Sequence, residues 1–141
     1  VREIYPDERR VALTPQNAAL LLKKGFKRVL VERGAGAEAQ FPDQAYAKVG
    51  ATLTDNKNVW AESDILLKVR PPGAAGAISE LDMLKEGGVL ISMSIKDENV
   101  VAKLGHRHNT SFAMDMIPRI SRAQVFDALR YIRRHVLKTV F

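Results

Sequence analysis

Apolar and polar positions recur along this chain with two alternating periods, and the switches between them mark out the elements. Residues 1–4, "VREI", predict a short first strand. Thr14-Pro15 predicts a helix start, with threonine as cap and proline at the first helical position, where its missing N–H costs nothing. "PQNAALLLKKG" carries that helix to Gly25, a left-handed closing residue. "KRVLVE" predicts a strand, "GAGAEAQF" a loop, and "PDQAYAKVG" a short helix closed by Gly50. A short extended "ATLT" and a helical turn around Trp60 come next. "DILLKV" is apolar almost without interruption, as expected of a strand buried on both faces. "RPPGAAGA" reads as a loop, and "ISELDMLKEG" as a helix capped by Ser79 and closed by Gly87. "GVLISMS", "DENVVAKLGH" and "TSFAMD" give strand, helix and strand, and a last helix starts near Ser121.

Strands alternating with helices predict an α/β fold of three layers, a mostly parallel sheet with helices on both faces. There is no internal repeat. Residues 1–118 read as one lobe and residues 119–141 as an amphipathic, basic C-terminal helix. In that helix Val125, Leu129, Ile132 and Val136 share an apolar stripe.

Composition adds little to this picture, but charge adds something. The chain has 141 residues, 46% of them hydrophobic and 27% charged, values ordinary for a globular domain. It has no cysteine, hence no disulfide framework and no thiolate site, which fits a reducing compartment. No apolar run approaches the ~18 residues that a membrane span needs, and no secretory leader is visible. The first residue is Val1, not methionine, which leaves room for an N-terminal piece removed or left out. Of the net charge of +6, residues 121–141 carry a net +4: Arg122, Arg130, Arg133, Arg134 and Lys138 against Asp127. The basicity belongs to that segment and not to a nucleic-acid-binding face, so no specific nucleic-acid partner is expected.

Candidate chemistry is sparse. "GAGAEA" at residues 34–39 follows a strand, but its third position is Ala39 and the next helix opens only at Pro42. A dinucleotide loop needs its glycines to open directly onto a helix N-terminus, so a glycine turn is the favoured reading. "HRH" at residues 106–108 has no cysteine or nearby acid to complete a zinc site, and no metal is expected. In "ERRVALTP", Arg9 or Arg10 offers a carboxylate clamp or, more simply, a pair with Asp7 or Glu8. Lys68 and Arg70 end the buried strand of "KVRPP". In open parallel sheets that edge holds ligands, and the alternative is that both charges reach solvent. Around Pro118, Arg119, Gln124 and Asp127 stand close together. Ser121 and Gln124 also form a capping box, which accounts for them without chemistry.

"FAMDMIPRISRAQVFDAL" closely resembles the NAD(H)-binding domain I, or alpha subunit, of proton-translocating NAD(P) transhydrogenase. "ERRVALTP", "GFKRVLVERGAGAEAQFPDQAYAKVGA", "SDILLKVRPP" and "GGVLIS" agree in order, so the resemblance covers nearly all of residues 2–129. Alanine dehydrogenase is the sister family. The resemblance implies the first lobe of a two-lobed domain whose second lobe carries the true dinucleotide fingerprint. It also implies that Arg119, Gln124 and Asp127 contact the nicotinamide end. The pattern's next serine is replaced by Arg130, a large cation that crowds the ring and adds positive charge. Against alanine dehydrogenase, the substrate arginine corresponds to Arg10, the substrate lysine to Arg70, and the catalytic histidine falls near Ile95, which exchanges no proton.

Two functions follow as expectations. In the first, the lobe has no independent catalysis and serves as an accessory or structural subunit of a larger complex, mitochondrial respiratory or other membrane-bound. Its partners are then proteins, met through Arg130, Arg133, Arg134 and Lys138. In the second, it is the leading lobe of an active transhydrogenase that moves hydride from NADH to NADP+. No catalytic residue is assigned. No cofactor is expected on this lobe alone, and NAD(H) is expected where the second lobe is present. The implied location is the matrix side of the mitochondrial inner membrane or the bacterial cytoplasm.

Overall fold

The computed structural model describes residues 1–73, 79–93, 95 and 97–117. Five helices and five strands alternate: α1 Pro15–Lys23, β1 Leu30–Glu32, α2 Asp43–Lys48, β2 Thr52–Thr54, α3 Asn56–Glu62, β3 Ile65–Leu67, α4 Glu80–Met83, β4 Val89–Ser92, α5 Glu98–His106 and β5 Thr110–Ala113. Short 3-10 turns occupy Ala37–Ala39 and Met114–Met116.

The local signals act as expected in most places. The Thr14 hydroxyl accepts from the Asn17 amide at 3.3 Å, with Pro15 opening α1. Gly25 ends that helix at φ +99°, a conformation only glycine adopts without strain. Asp55 and Asp97 cap α3 and α5 by accepting from Asn58 and Asn99 amides.

Several expectations fail. Ser79 precedes α4 but does not cap it with its side chain; its hydroxyl donates to the Gly73 carbonyl at 3.4 Å instead. The strand expected to be buried on both faces leaves Ile65 45% exposed. Residues 1–4 form no strand. They cross strand ends and are tied by carboxylates: the Arg2 amide donates to Glu32 at 2.7 Å, and Glu3 accepts from the Val69 amide at 2.7 Å. The helix expected through Gly87 stops at Met83, because Leu84 turns extended (φ −64°, ψ 134°). Tertiary partners fix that turn. The Arg107 guanidinium donates to the Leu84 carbonyl at 2.6 Å, and the Lys85 amide donates to the Trp60 carbonyl at 3.2 Å.

Among the described residues every strand pairing is parallel, in two groups: β1 beside β2, and β3 beside β4 beside β5. Side chains alternate across a strand, and β1 shows what that does here. Val29, just before it, and Val31 pack with Ala18 of α1 and Tyr46 of α2. Leu30 packs on the other side, in the cluster around Trp60 of α3. Helices therefore cover both faces of β1, and the layering is the expected one. The Trp60 cluster also takes in Leu66 of β3, Leu81 of α4, Leu90 of β4 and Leu104 of α5. The Tyr46 hydroxyl donates to the Leu13 carbonyl at 2.8 Å and ties α2 to the entrance of α1. No helix among the described residues is long and apolar enough to cross a membrane.

Candidate functional site at the carboxyl edge of the strands

Because the strands run parallel, their carboxyl ends open on one edge, where ligands sit in open α/β sheets. Two knots of charged groups lie at this edge.

The first knot is buried. Lys68 follows β3, and its side chain is fully shielded from solvent. Its ammonium donates to Glu3 at 2.9 Å, lies 3.7 Å from Glu80 and stands 5.9 Å from the Tyr5 ring centroid. Glu3 also accepts from the Val69 and Arg70 amides, at 2.7 and 3.2 Å. Glu80 accepts from the Gly73 amide at 2.8 Å. Burial pushes the Glu80 carboxyl above its ordinary value, against the pull of that amide and of Lys68. Lys68 therefore does not reach solvent, contrary to the simpler expectation. A lysine in a near-continuous apolar run calls for a buried acid, but no local spacing says which one. Glu3 lies 65 positions away, so sequence reasoning missed both acids.

The second knot is half exposed. Glu8 accepts from Arg10 at 2.8 and 2.7 Å and from Arg70 at 2.8 Å. Arg10 and Arg70 are about half exposed while the Glu8 side chain is buried. Hydrogen bonding from Arg10, helped by Arg70, holds the Glu8 carboxyl down at about 2. The structural pair expected within "ERRVALTP" is thus formed, and the same carboxylate captures Arg70.

This pairing carries a pH signature. A carboxyl held down at about 2, against an ordinary 4.5, adds stability that is complete above pH ~4.5 and is lost as pH falls toward 2. Glu8→Gln is expected to cost about 1 kcal/mol at pH 7, the modest value proper to half-exposed arginine partners. The gap from the parent should close between pH 4.5 and 2, read by urea midpoints across that range. A gap that does not change with pH would show that Glu8 acts through packing alone.

The glycine turn after β1 is built for itself. The Gly34 amide donates to Asp43 at 2.8 Å. A Cβ on Gly36 would lie 2.7 Å from the Phe41 carbonyl oxygen and 2.8 Å from the Tyr46 ring. These residues make a tight corner against Tyr46. Around "HRH", His106 ends α5 and His108 takes φ +56° in the turn to β5, where Asn109 donates to the Lys85 and Gly88 carbonyls. Among the described residues no cluster of histidine and acidic side chains is arranged to hold a metal. Ile95 is buried in the Trp60 cluster. Arg119, Gln124 and Asp127, and the basic Arg130, Arg133, Arg134 and Lys138, lie outside the described residues.

Fold and edge together define the class: a parallel α/β lobe with helices on both faces, whose described edge charges are mutually paired. The family described as "Alanine dehydrogenase/PNT, N-terminal domain" matches residues 1–134, and the chain belongs to it. Over 91% of its length the chain is 41% identical to the NAD(P) transhydrogenase subunit alpha of Haemophilus influenzae, covering 24% of that protein. It superposes on the crystal structure of transhydrogenase from Sinorhizobium meliloti with a TM-score of 0.81 at 35% identity, over 92% of this chain and 38% of that one. On an L-alanine dehydrogenase the TM-score is 0.76 at 26% identity, over 86% and 32%. The likeness is to the N-terminal lobe of transhydrogenase domain I, with alanine dehydrogenase as a relative. The chain spans about a quarter to a third of the length of the curated transhydrogenase relatives it matches.

Proposed function

We propose that this chain is a transhydrogenase-type scaffold lobe: one wall of an NAD(H) cleft, without catalysis of its own, held in a larger membrane-associated assembly. The observation that carries this reading is the self-pairing of the carboxyl edge. Arg10 and Arg70 are committed to Glu8, Lys68 to Glu3 and Glu80, and the Gly34 amide to Asp43. These groups have internal partners where a phosphate would need free donors. Hydride transfer needs two nicotinamide rings at ~3–3.5 Å, held from both sides. On this reading Arg119, Gln124 and Asp127 meet the nicotinamide end only when a second lobe closes over them. Arg130, Arg133, Arg134 and Lys138 make the contact with the partner protein.

A second reading, the leading lobe of an active enzyme passing hydride from NADH to NADP+ with proton translocation, is favoured by the 41% identity to a transhydrogenase alpha subunit. Both readings put the lobe on the cytoplasmic side of a bacterial membrane or the matrix side of the mitochondrial inner membrane. The relatives named above with an organism are bacterial, which supports the former.

The test is an NADH fluorescence titration of this chain alone. No saturable change is expected up to about 1 mM, a ligand concentration at which even contacts worth about 4 kcal/mol would register. Saturation in the micromolar range overturns the scaffold reading.

A further inference from the structure

The edge where the strands begin is charged differently from the edge where they end. At the carboxyl edge the cations Lys68, Arg10 and Arg70 are taken by carboxylates. Around the turn from α1 to β1, at the amino edge, most are not. "KKGFKR", residues 23–28, puts four cations in six positions. Arg28 pairs with Glu62 at 3.2 Å, and Asp64, just before β3, is held by Lys85 at 2.6 Å. Lys23, Lys24 and Lys27 remain, all exposed and without a carboxylate partner among the described residues. α2 ends beside them, because a Cβ on Gly50 would lie 3.5 Å from the Leu22 side chain. Its last turn brings Lys48, also exposed and unpaired among the described residues.

The turn itself is held in one shape. Gly25, at φ +99°, closes α1 in a Schellman motif: its amide donates to the Leu22 carbonyl at 3.1 Å, and the Phe26 amide donates to the Leu21 carbonyl at 3.3 Å. That motif commonly tucks the residue at the Phe26 position against its helix. Phe26 nevertheless stays 46% exposed, and Leu20, one turn back from Lys24, is 49% exposed. A lysine near a helix C-terminus offsets the carbonyl end of the dipole, which accounts for Lys23 and Lys48. It accounts neither for Lys27 nor for two large apolar side chains left in water among the charges.

We propose that this turn is a contact for an anionic lipid surface. Lys23, Lys24, Lys27 and Lys48 meet the headgroups, and Phe26 with Leu20 enters the boundary between headgroups and acyl chains. Each lysine close to such a surface strengthens the attraction about fivefold. Phenylalanine and leucine among lysines is the composition of segments that lie in the membrane interface. A nucleic acid would answer the charges alone and would give Leu20 no apolar medium to enter. The contact lies away from the paired charges of the carboxyl edge, so it leaves that edge free. It does not depend on the scaffold reading, since an active lobe would present the same turn.

The experiment is co-sedimentation of the full chain with vesicles of phosphatidylcholine alone and of phosphatidylcholine mixed with phosphatidylserine. Binding to the mixed vesicles only, weakened by added salt, is expected. Lys24→Gln together with Lys27→Gln should lower the partition coefficient about tenfold or more. Phe26→Ser should lower it with the charge unchanged. Replacing Arg130, Arg133, Arg134 and Lys138 with glutamine should keep most of the binding, which separates the turn from the basic C-terminal segment. Phe26→Trp gives a second readout: Trp60 is fully buried, so a blue shift on adding mixed vesicles reports the new indole. No binding to mixed vesicles would overturn the proposal, as would Phe26→Trp emission that vesicles leave unchanged. So would binding that survives the lysine pair and is lost with the C-terminal set, or transfer RNA displacing the vesicles at the same salt.

Discussion

Replacing Lys68 with methionine is expected to lower the free energy of unfolding by about 3–5 kcal/mol, the usual cost of removing one partner from a buried ion pair. The lost attraction is the smaller part. Glu3 and Glu80 would remain in the interior without the cation that stands 2.9 and 3.7 Å from them. The amides of Val69, Arg70 and Gly73 still donate to these carboxylates, and they set a floor under the damage. Two features separate this account from simple loss of packing. The deficit should shrink as pH falls, since protonating Glu80 removes a buried charge that burial already disfavours. Combining Lys68→Met with Glu3→Gln and Glu80→Gln should recover much of the loss, because no buried ion is then left unpaired. Urea unfolding at pH 7 and pH 5 reads both. A single-variant loss below about 1 kcal/mol would mean that the knot is solvated.

This knot also marks where the sequence stops being readable. Elements set by neighbouring residues are legible: the Thr14-Pro15 start, the Gly25 stop, and the apolar run that becomes β3 all rest on contacts within a few positions. The Glu8–Arg10 pair is legible for the same reason, being two residues apart. Lys68 is different. Its burial depends on Glu3, and nothing in the spacing around residue 68 announces that partner. The early end of α4 is likewise nonlocal, since Arg107 and the Trp60 carbonyl decide where the backbone turns. The failure of residues 1–4 to form a strand has the same cause. "VREI" has the composition of a strand, but Glu3 is spent on the ends of its neighbours and not on a ladder.

The candidate site divides along the same line. Family resemblance pointed to Arg119, Gln124 and Asp127, which lie outside the described residues. The edge charges, by contrast, are resolved as internal pairs. Arg10 and Arg70 share Glu8, and Ile95 lies buried in the core. The lobe has the frame of the family, and its own carboxylates pair with the cationic groups at the edge.

The frame itself depends on Trp60, and Trp60→Ala is expected to cost about 3–5 kcal/mol. The indole is fully buried among residues of α3, α4, α5, β3 and β4, so its removal opens a void that five separate elements would have to close. Among the described residues the indole N–H has no hydrogen-bond partner. Leaving such a group unmet costs about 1–3 kcal/mol. Trp60→Phe removes it together with part of the ring, so it should cost much less than the alanine variant, well below half. The contrast is the informative result. If volume alone governs the site, the two variants will scale with the side-chain atoms removed. If the unmet N–H counts, phenylalanine will fall above that line. Chemical denaturation of both variants decides between them. The Lys68 knot supplies an internal control, because β3 carries both Leu66 of this core and, at its carboxyl end, the buried lysine. A Trp60→Ala core that collapses inward would displace β3 and weaken the Lys68–Glu3 contact, making that variant less than additive with Lys68→Met.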